Sequence, residues 1–188
     1  MKQGRQKTKG NAFENKVAKD LSSWLTDGSR EDVLIRSQNS GGRATVLNYS
    51  GKNFVSQAGD ITAVDQEGFS LMDTFIIECK HHKNLYLDSL VFNSRKDGII
   101  AHWKKLLDEC STFSRNPMYI ARQNGKPILV AFNSFGTSFF NLNNYLTASF
   151  HQIDLHIVQF DSFIKYSDKS NLASGITDVN KVNIKPRT

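Results

Sequence analysis

The sequence predicts an α/β (α+β) protein in which a central mixed β-sheet is flanked by helices. Two kinds of segment recur along the chain. Some have apolar residues at every third or fourth position, which is typical of amphipathic helices, and others are short alternating or apolar runs, which are typical of strands. Their order is one helix, three strands, one helix and two strands, followed by a mixed C-terminal part. Since the chain has 188 residues, of which 39% are hydrophobic, we expect one domain with a substantial core.

Three segments have the pattern of helices. Residues 11–25 begin with Asn11, a suitable N-cap, and Glu14 follows three residues later, as in a capping box. The apolar residues of this segment recur at helical spacing: Phe13, Val17, Leu21 and Trp24. Residues 98–113 predict a second amphipathic helix, and residues 141–148 predict a short third one.

The two ends of the chain are polar. Residues 1–10 are basic and are expected to form a flexible arm, and residues 168–188 a flexible tail, which leaves 11–167 as the single domain. No apolar run approaches the roughly 20 residues of a membrane helix, and no secretory signal is recognisable. Two cysteines, Cys79 and Cys110, are too few for a disulfide framework, so we expect a cytoplasmic protein.

The strand pattern appears in six segments. Strands are predicted at 32–36, 58–65, 71–80, 118–123, 126–132 and 154–160. Gly68 suggests a turn between the second and third strands, and Asn124-Gly125 suggests a hairpin between the fourth and fifth. Residues 37–57, rich in Ser, Asn and Gly, form a long loop of the kind that is functional or disordered.

Two carboxylates are expected to meet on the predicted hairpin around Gly68. If the hairpin is centred near residue 69, Asp60 lies opposite Glu78, with their Cβ atoms about 5 Å apart. Strand alternation places Lys80 on the same face as Glu78 and turns Cys79 to the other face. Two carboxylates this close repel one another unless a cation lies between them.

Two cations are candidates for that position. One is the ammonium of Lys80, and the other is a hard divalent ion such as Mg²⁺, with Mn²⁺ as an alternative, which binds carboxylate and carbonyl oxygens. The backbone carbonyl of Cys79 would then be a further ligand. Glu14, on the apolar face of the first helix, would reach the metal directly or through a water. Such a site polarises a phosphate and activates water, which is the chemistry of phosphodiester hydrolysis.

The charge of the chain favours a polyanionic partner. The net charge is +6 and the pI is about 9.3, and nucleic acid is the commonest polyanion that basic proteins bind. Arg36 and Arg43 flank the Ser/Gly loop and are candidate phosphate contacts. The run His81, His82 and Lys83 is a candidate DNA-facing rim. A zinc site is less favoured there, because the side chains of adjacent strand residues point in opposite directions and do not share an ion easily. Simple solvent exposure is the alternative explanation for all five residues.

The spacing of these residues resembles the motif of the PD-(D/E)XK nuclease superfamily, an acid on one strand followed by acid-any-Lys on the next. Within the superfamily, the sequence is most similar to archaeal-type Holliday junction resolvases, which some phages also encode. Matching residues occur in the same order over about residues 7–85: Lys9-Gly10, Glu14, Arg36, Ser40-Gly41-Gly42, Asp60 and Glu78-Cys79-Lys80. Gly59 stands where the motif name has Pro, and the loop at 37–57 is longer than in compact resolvases.

The resemblance implies a restriction-endonuclease-like fold and a Mg²⁺-dependent endonuclease. It implies Asp60 and Glu78 as metal ligands, Glu14 as a metal or water partner, and Lys80 as a catalytic residue. It also implies a homodimer that acts on branched DNA, with Ser40 and Lys9 near the DNA. Two alternatives remain open: a sequence-specific or general restriction- or phage-type endonuclease of the same superfamily, and a DNA-binding module without catalysis.

Overall fold

The computed structural model describes residues 3–37, 58–86 and 98–173. The elements of this part of the chain are, in order, α1 (Gln3–Leu25), β1 (Leu34–Arg36), β2 (Ile61–Ala63), α2 (Gln66–Thr74), β3 (Phe75–His82), α3 (Ile99–Phe113), β4 (Asn116–Gln123), β5 (Ile128–Phe132), α4 (Ser134–Phe139), β6 (Ala148–Phe150), β7 (Leu155–Gln159), α5 (Phe160–Tyr166) and α6 (Ser170–Ala173). None of the helices in the described ranges is long and apolar enough to span a bilayer.

Five strands form one mixed sheet in the order β3-β4-β5-β7-β6. β3 and β4 are parallel and are connected through α3, whereas the other neighbouring strands are antiparallel. β3 is therefore an edge strand, and its C-terminal end lies beside that of β4, where His82 is opposite Gln123. β1 and β2 form a separate antiparallel pair. This architecture confirms the predicted mixed sheet flanked by helices and is consistent with a restriction-endonuclease-like fold.

The two faces of the sheet bury two different hydrophobic clusters. Phe75, Ile77 and Cys79 of β3 pack in the cluster that contains the apolar face of α1, whereas Ile76 packs in the cluster that contains α3. The ring of Phe75 contacts four other phenylalanine rings, with centroid distances from 5.1 to 6.2 Å. Each buried aromatic side chain of this kind contributes about 1.5–3 kcal/mol to folding. The first half of β3 is therefore held firmly, and its polar second half extends from a rigid base.

Several sequence predictions are confirmed. The helix predicted at 98–113 is α3, and its buried face includes Trp103, Leu106 and Cys110. The hairpin around Asn124-Gly125 is present between β4 and β5. The strand predicted at 154–160 is β7, although its last residue belongs to the following helix.

The first helix is longer than predicted. It begins at Gln3, so Asn11 lies within α1 and is not its N-cap, and residues 3–10, predicted as a flexible arm, are helical. Lys and Gln favour helix, and one interior Gly costs only about 1 kcal/mol, so Gly10 does not interrupt the element. The face predicted to be buried is buried: Phe13, Val17, Leu21 and Trp24.

The hairpin predicted around Gly68 is wrong. β2 pairs with β1 and not with β3, and the helix α2 occupies the predicted turn and the first four residues of the predicted strand 71–80. Asp65 caps this helix by accepting a hydrogen bond from the Glu67 N–H. Gly68 is a packing residue, because a Cβ there would lie 2.7 Å from Leu34 Cδ2.

The C-terminal part also differs from the prediction. Residues 141–148 do not form a helix; α4 precedes them and is capped by Asn133, whose side chain accepts a hydrogen bond from the Gly136 N–H. The segment predicted as a tail from residue 168 begins with packed residues. The Asn171 side chain donates a 2.6 Å hydrogen bond to the Phe139 carbonyl, and Leu172 is buried. Contacts between residues this far apart in sequence cannot be predicted from the local pattern of a polar segment.

Candidate active site

The second half of β3 presents two polar side chains on one face of the sheet. Glu78 and Lys80 are half-buried on the α3 side, and Cys79 is buried between them on the α1 side. The Lys80 ammonium and the Glu78 carboxylate are in contact. The alternation predicted for this strand is therefore the one that the structure has.

Asp60 lies at the free edge of β3, immediately before β2. Its backbone N–H donates a 2.8 Å hydrogen bond to the Ile77 carbonyl, and its side chain accepts a 2.8 Å hydrogen bond from the Cys79 N–H. Its carbonyl accepts a third bond from the Ser37 N–H at the end of β1. Asp60 therefore connects the β1–β2 pair to the edge of the main sheet, and its carboxylate is almost completely buried.

Gly59 makes this close approach possible. Its φ is +83°, a left-handed value that residues with a Cβ rarely adopt, and a Cβ there would lie 2.6 Å from the Ile77 carbonyl oxygen. The position named Pro in the superfamily motif requires glycine in this chain, because Pro fixes φ near −65°.

Three oxygen atoms converge on the Lys80 ammonium. Lys80 Nζ lies 3.5 Å from Asp60 Oδ2 and 3.3 Å from the Cys79 carbonyl oxygen, and it is in contact with Glu78 Oε1. The predicted neighbourhood of Asp60 and Glu78 is thus present, although it arises from an edge contact and not from a hairpin.

The pKa values of Glu78 and Lys80 depend on each other and on the Asp60 carboxylate. Burial, and then the nearby Asp60 carboxylate, raise the pKa of Glu78 above its ordinary value. Burial alone would lower the pKa of Lys80, but the attraction of Glu78 and Asp60 outweighs burial and raises it. The Lys80 ammonium therefore favours the ionised form of Glu78, and the two carboxylates favour the protonated form of Lys80.

Glu14 approaches the same edge from α1. Its side chain is only 13% exposed, and Oε2 lies 3.5 Å from Arg36 Nη1 but forms no hydrogen bond within the described residues. Burial, and then the Asp60 carboxylate, raise the pKa of Glu14, while Arg36 and Lys80 oppose that increase. A buried carboxylate oxygen without a hydrogen bond is costly in a folded protein, so this atom is available to a cation.

The donor atoms suit a hard cation more than a soft one. Asp60, Glu78 and the Cys79 carbonyl provide oxygen atoms that already surround one positive charge, and Mg²⁺ binds few protein oxygens and keeps several waters. No group of three or more His, Cys, Asp or Glu side chains that could hold a metal ion occurs in the ranges that the structure describes. A hard cation at this point would have Asp60 and Glu78 as its carboxylate ligands and would need the Cys79 carbonyl and water to complete its coordination.

The predicted DNA-facing residues lie around the end of β3. The His81 ring packs against Phe13 of α1, with 5.3 Å between centroids, and His82 stacks on His102 of α3. Lys83 follows β3 and is exposed, and Lys9 on α1 donates a hydrogen bond to the Asn124 side chain. Arg36, at the end of β1, is committed to Glu14 and is thus part of the site, whereas Ser40 and Arg43 lie outside the described residues.

Sequence reasoning missed two residues beside this site. The Tyr119 hydroxyl hydrogen-bonds His102 Nδ1 at 3.0 Å, and Tyr119 lies opposite Glu78 in the β3–β4 register. Arg122 lies opposite His81 in the same register. Tyr119 and Arg122 belong to β4, which the sequence predicts by its apolar pattern. Only the pairing of β4 with β3 shows which residues of β3 lie next to them.

A protein-family model described as Phage putative PDDEXK endonuclease matches the chain over residues 5–174. The match includes α1, the site on β3 and the entire five-stranded sheet. Neither the curated proteins nor the solved structures gave a match.

Proposed function

Because the chain belongs to this phage PDDEXK endonuclease family, we propose that it is a Mg²⁺-dependent endonuclease that hydrolyses DNA phosphodiester bonds at the end of β3. One observation carries the proposal: the carboxylates of Asp60 and Glu78 and the carbonyl of Cys79 converge on a single cation, the Lys80 ammonium. Acids hinder the approach of phosphate unless a cation offsets their charge, so this arrangement is unfavourable for a protein that only binds DNA.

In this proposal, Asp60 and Glu78 are the carboxylate ligands of the metal, with the Cys79 carbonyl as the third protein ligand. A divalent cation bound there supplies a Lewis acid for the scissile phosphate and lowers the pKa of water. The hydrogen bond from the Cys79 N–H fixes the orientation of the Asp60 carboxylate, leaving its second oxygen available. Glu14, whose Oε2 is paired with Arg36 but accepts no hydrogen bond within the described residues, would hold the metal or one of its waters.

Lys80 is the catalytic cation of the chain itself. Its ammonium is protonated, because Glu78 and Asp60 raise its pKa, and it is 29% exposed at the edge of the sheet. With the oxygens of Asp60 and Glu78 bound to a metal, the Lys80 ammonium would turn toward the phosphate and donate hydrogen bonds to its oxygens as negative charge develops during the attack of water. Water adds to phosphorus and gives up a proton to the solvent, the P–O bond to the leaving nucleotide breaks, and the leaving oxygen takes up a proton from the solvent.

The preferred DNA substrate is a finer proposal. A branched substrate of the Holliday junction type, cut by a homodimer, is supported by the order of the matching residues along the chain: Lys9, Glu14, Arg36, Asp60, Glu78 and Lys80. The corresponding biological process would be DNA repair or recombination inside the cell. The family description is equally consistent with the alternative of a sequence-specific or general phage- or restriction-type DNA endonuclease. In sequence, residues 38–57 fall between Arg36 and Asp60, two residues of the site, so they are the first to consider for substrate choice.

One experiment tests the activity and the substrate together. A labelled four-way junction and a linear duplex of matched sequence are incubated with the protein in Mg²⁺, in Mn²⁺ and in EDTA. We expect cleavage with either metal and none in EDTA, and faster cleavage of the junction. Equal cleavage of both DNAs would favour the sequence-specific or general endonuclease, and metal-independent binding without cleavage would favour a non-catalytic module. Sedimentation with and without junction DNA tests the dimer.

A further inference from the structure

A group of basic side chains lies beside the proposed active site, on the α1 side of the sheet. It consists of Lys9 on α1, His81 at the end of β3 and Arg122 at the end of β4. His81 and Arg122 are opposite one another in the parallel register, and strand alternation places both on the α1 face, as it does Cys79 and Ile120.

The β4–β5 hairpin holds this group together. The Asn124 N–H at its tip donates a 3.1 Å hydrogen bond to the His82 carbonyl, and the Asn124 side chain accepts a hydrogen bond from the Lys9 ammonium. Next to Asn124, the Gln123 side chain accepts a hydrogen bond from the Leu85 N–H, after the end of β3. The hairpin therefore connects the first turns of α1 to the end of β3, and the Lys9–Asn124 contact spans 115 residues in sequence.

The positive charge of this group is not neutralised within the described part of the chain. Neither Lys9 nor Arg122 forms an ion pair there, although acidic partners are present for Arg30, Arg36 and Lys80. Lys9 is hydrogen-bonded to Asn124 at the tip of the hairpin, and Arg122 of β4 precedes Asn124 by two residues, so both charges lie at the same end of the sheet. Neighbouring cations repel each other, so an anion bound among them relieves an existing cost.

We propose that Lys9, Arg122 and His81 bind a backbone phosphate of the DNA strand next to the scissile phosphate, which makes the β4–β5 hairpin a DNA-contacting element. The inference rests on the proposed function, since it assumes a DNA substrate. Arg122 provides the planar guanidinium that pairs with two phosphate oxygens, and Lys9 provides a second charge. Asn124 is a positioning residue, because it holds Lys9 through a hydrogen bond and carries no charge of its own.

The location of this basic group suits the phosphate next to the scissile phosphate. His81 follows Lys80 directly in β3, and Lys9 lies one helical turn before the Phe13–Glu14 pair on α1. The basic group and the carboxylate site therefore flank the same edge, one on each side of β3. Because His81 is opposite Arg122 in the β3–β4 register, a DNA strand that crosses the end of β3 and places one phosphate at Lys80 would carry its next phosphates past Arg122. Such contacts set the register of the DNA and read no base sequence.

The test measures DNA binding in EDTA, where the proposed chemistry does not occur. A labelled DNA duplex is titrated with the parent chain and with Arg122→Gln, Arg122→Lys and Lys19→Gln at several salt concentrations. Lys19→Gln is the matched control, because Lys19 is an exposed cation on α1 paired with Glu31, away from the group. Thermal unfolding of each variant verifies that it is folded.

We expect Arg122→Gln to weaken binding about tenfold and to reduce the slope of log K against log [salt] by about 0.9, the value for one lost phosphate contact. Arg122→Lys should restore the salt slope, and Lys19→Gln should bind like the parent. If folded Arg122→Gln keeps the affinity and the slope of the parent, the inference is wrong. A parent that binds DNA but does not cut it with Mg²⁺ overturns the proposed function alone, and a parent that does not bind DNA overturns both.

Discussion

The Asp60 carboxylate accepts a 2.8 Å hydrogen bond from the backbone N–H of Cys79, across the open edge of β3. Together with the hydrogen bond from the Asp60 N–H to the Ile77 carbonyl, this contact places an acid that precedes β2 next to the Glu78 and Lys80 side chains. Asp60 occupies the position that a neighbouring strand would take, because β3 has no strand partner on this side within the described residues. The edge of the sheet is thus protected by a group that is also part of the proposed active site.

Asp60→Asn should abolish cleavage while the protein stays folded. The Asn side-chain oxygen can still accept the hydrogen bond from Cys79, but the negative charge next to Lys80 is lost. We expect the cleavage rate to fall by more than about a hundredfold, with DNA binding unchanged or tighter, since an acid has been removed from a phosphate site. Cleavage and binding of the same labelled DNA measure the two effects. Asp20→Asn, on the exposed part of α1, is the control. Parent-like cleavage by Asp60→Asn would contradict the assignment.

Mg²⁺ should stabilise the parent chain in the absence of DNA. A ligand that binds only the folded state adds about 1.4 kcal/mol at ten times its dissociation constant. Thermal unfolding with increasing Mg²⁺ should therefore show a rising midpoint for the parent and a constant midpoint for Glu78→Gln, which lacks a proposed ligand. A rise of the same size in both proteins would show that the ion binds elsewhere.

Glu14→Gln should separate activity from stability. The raised pKa of Glu14 means that its ionised form is less favourable in the folded chain than in the unfolded one, so at neutral pH the charge reduces stability. In EDTA, we expect an unfolding midpoint equal to or above that of the parent, together with cleavage in Mg²⁺ reduced about tenfold or more. Glu31→Gln, at an exposed carboxylate, should change neither property. A less stable variant with full activity would exclude the proposed role of Glu14.

Gly59→Ala should damage both the fold and the activity. The methyl group would lie 2.6 Å from the Ile77 carbonyl at a φ of +83°, so either the strain remains or Asp60 moves away from β3. We expect a loss of about 1–3 kcal/mol in the free energy of unfolding and little residual cleavage. Gly28→Ala is a suitable comparison, because its φ is also positive but the space around it is open. Urea unfolding and cleavage assays should show a smaller loss of stability and normal cleavage for Gly28→Ala.

Cys110 should make stability fall at high pH. Burial, together with the nearby Glu109 carboxylate, raises the pKa of the Cys110 thiol from 9.0 to about 12. Between these two values the unfolded chain loses the thiol proton and the folded chain keeps it, so folding becomes less favourable as the pH rises, by up to about 1.4 kcal/mol per pH unit. Urea unfolding across this range should show a steeper decline for the parent than for Cys110→Ala. Parallel pH curves would show that the thiol contributes nothing.

The periodic parts of the fold could be predicted from the sequence. The buried face of α1 and the alternation of Glu78, Cys79 and Lys80 depend on local backbone geometry, which the spacing of apolar and polar residues reports directly. The segment around Gly68 was misassigned because nine residues rich in apolar and small side chains fit both a strand with a turn and a short helix. The Asp65 cap and the packing of Gly68 against Leu34 favour the helix, and the second of these is a long-range contact.

By itself, the sequence determined which chemical groups are available and which of them share a face of β3. It also indicated that Asp60 lies near Glu78, although for an incorrect reason. Only the tertiary structure decided how Asp60 reaches β3, how Glu14 is buried against Arg36, and that Lys9 meets Asn124 across the domain. The physical reason is that periodicity follows from the geometry of consecutive peptide units, whereas the meeting of distant residues depends on the packing of the entire sheet and its helices.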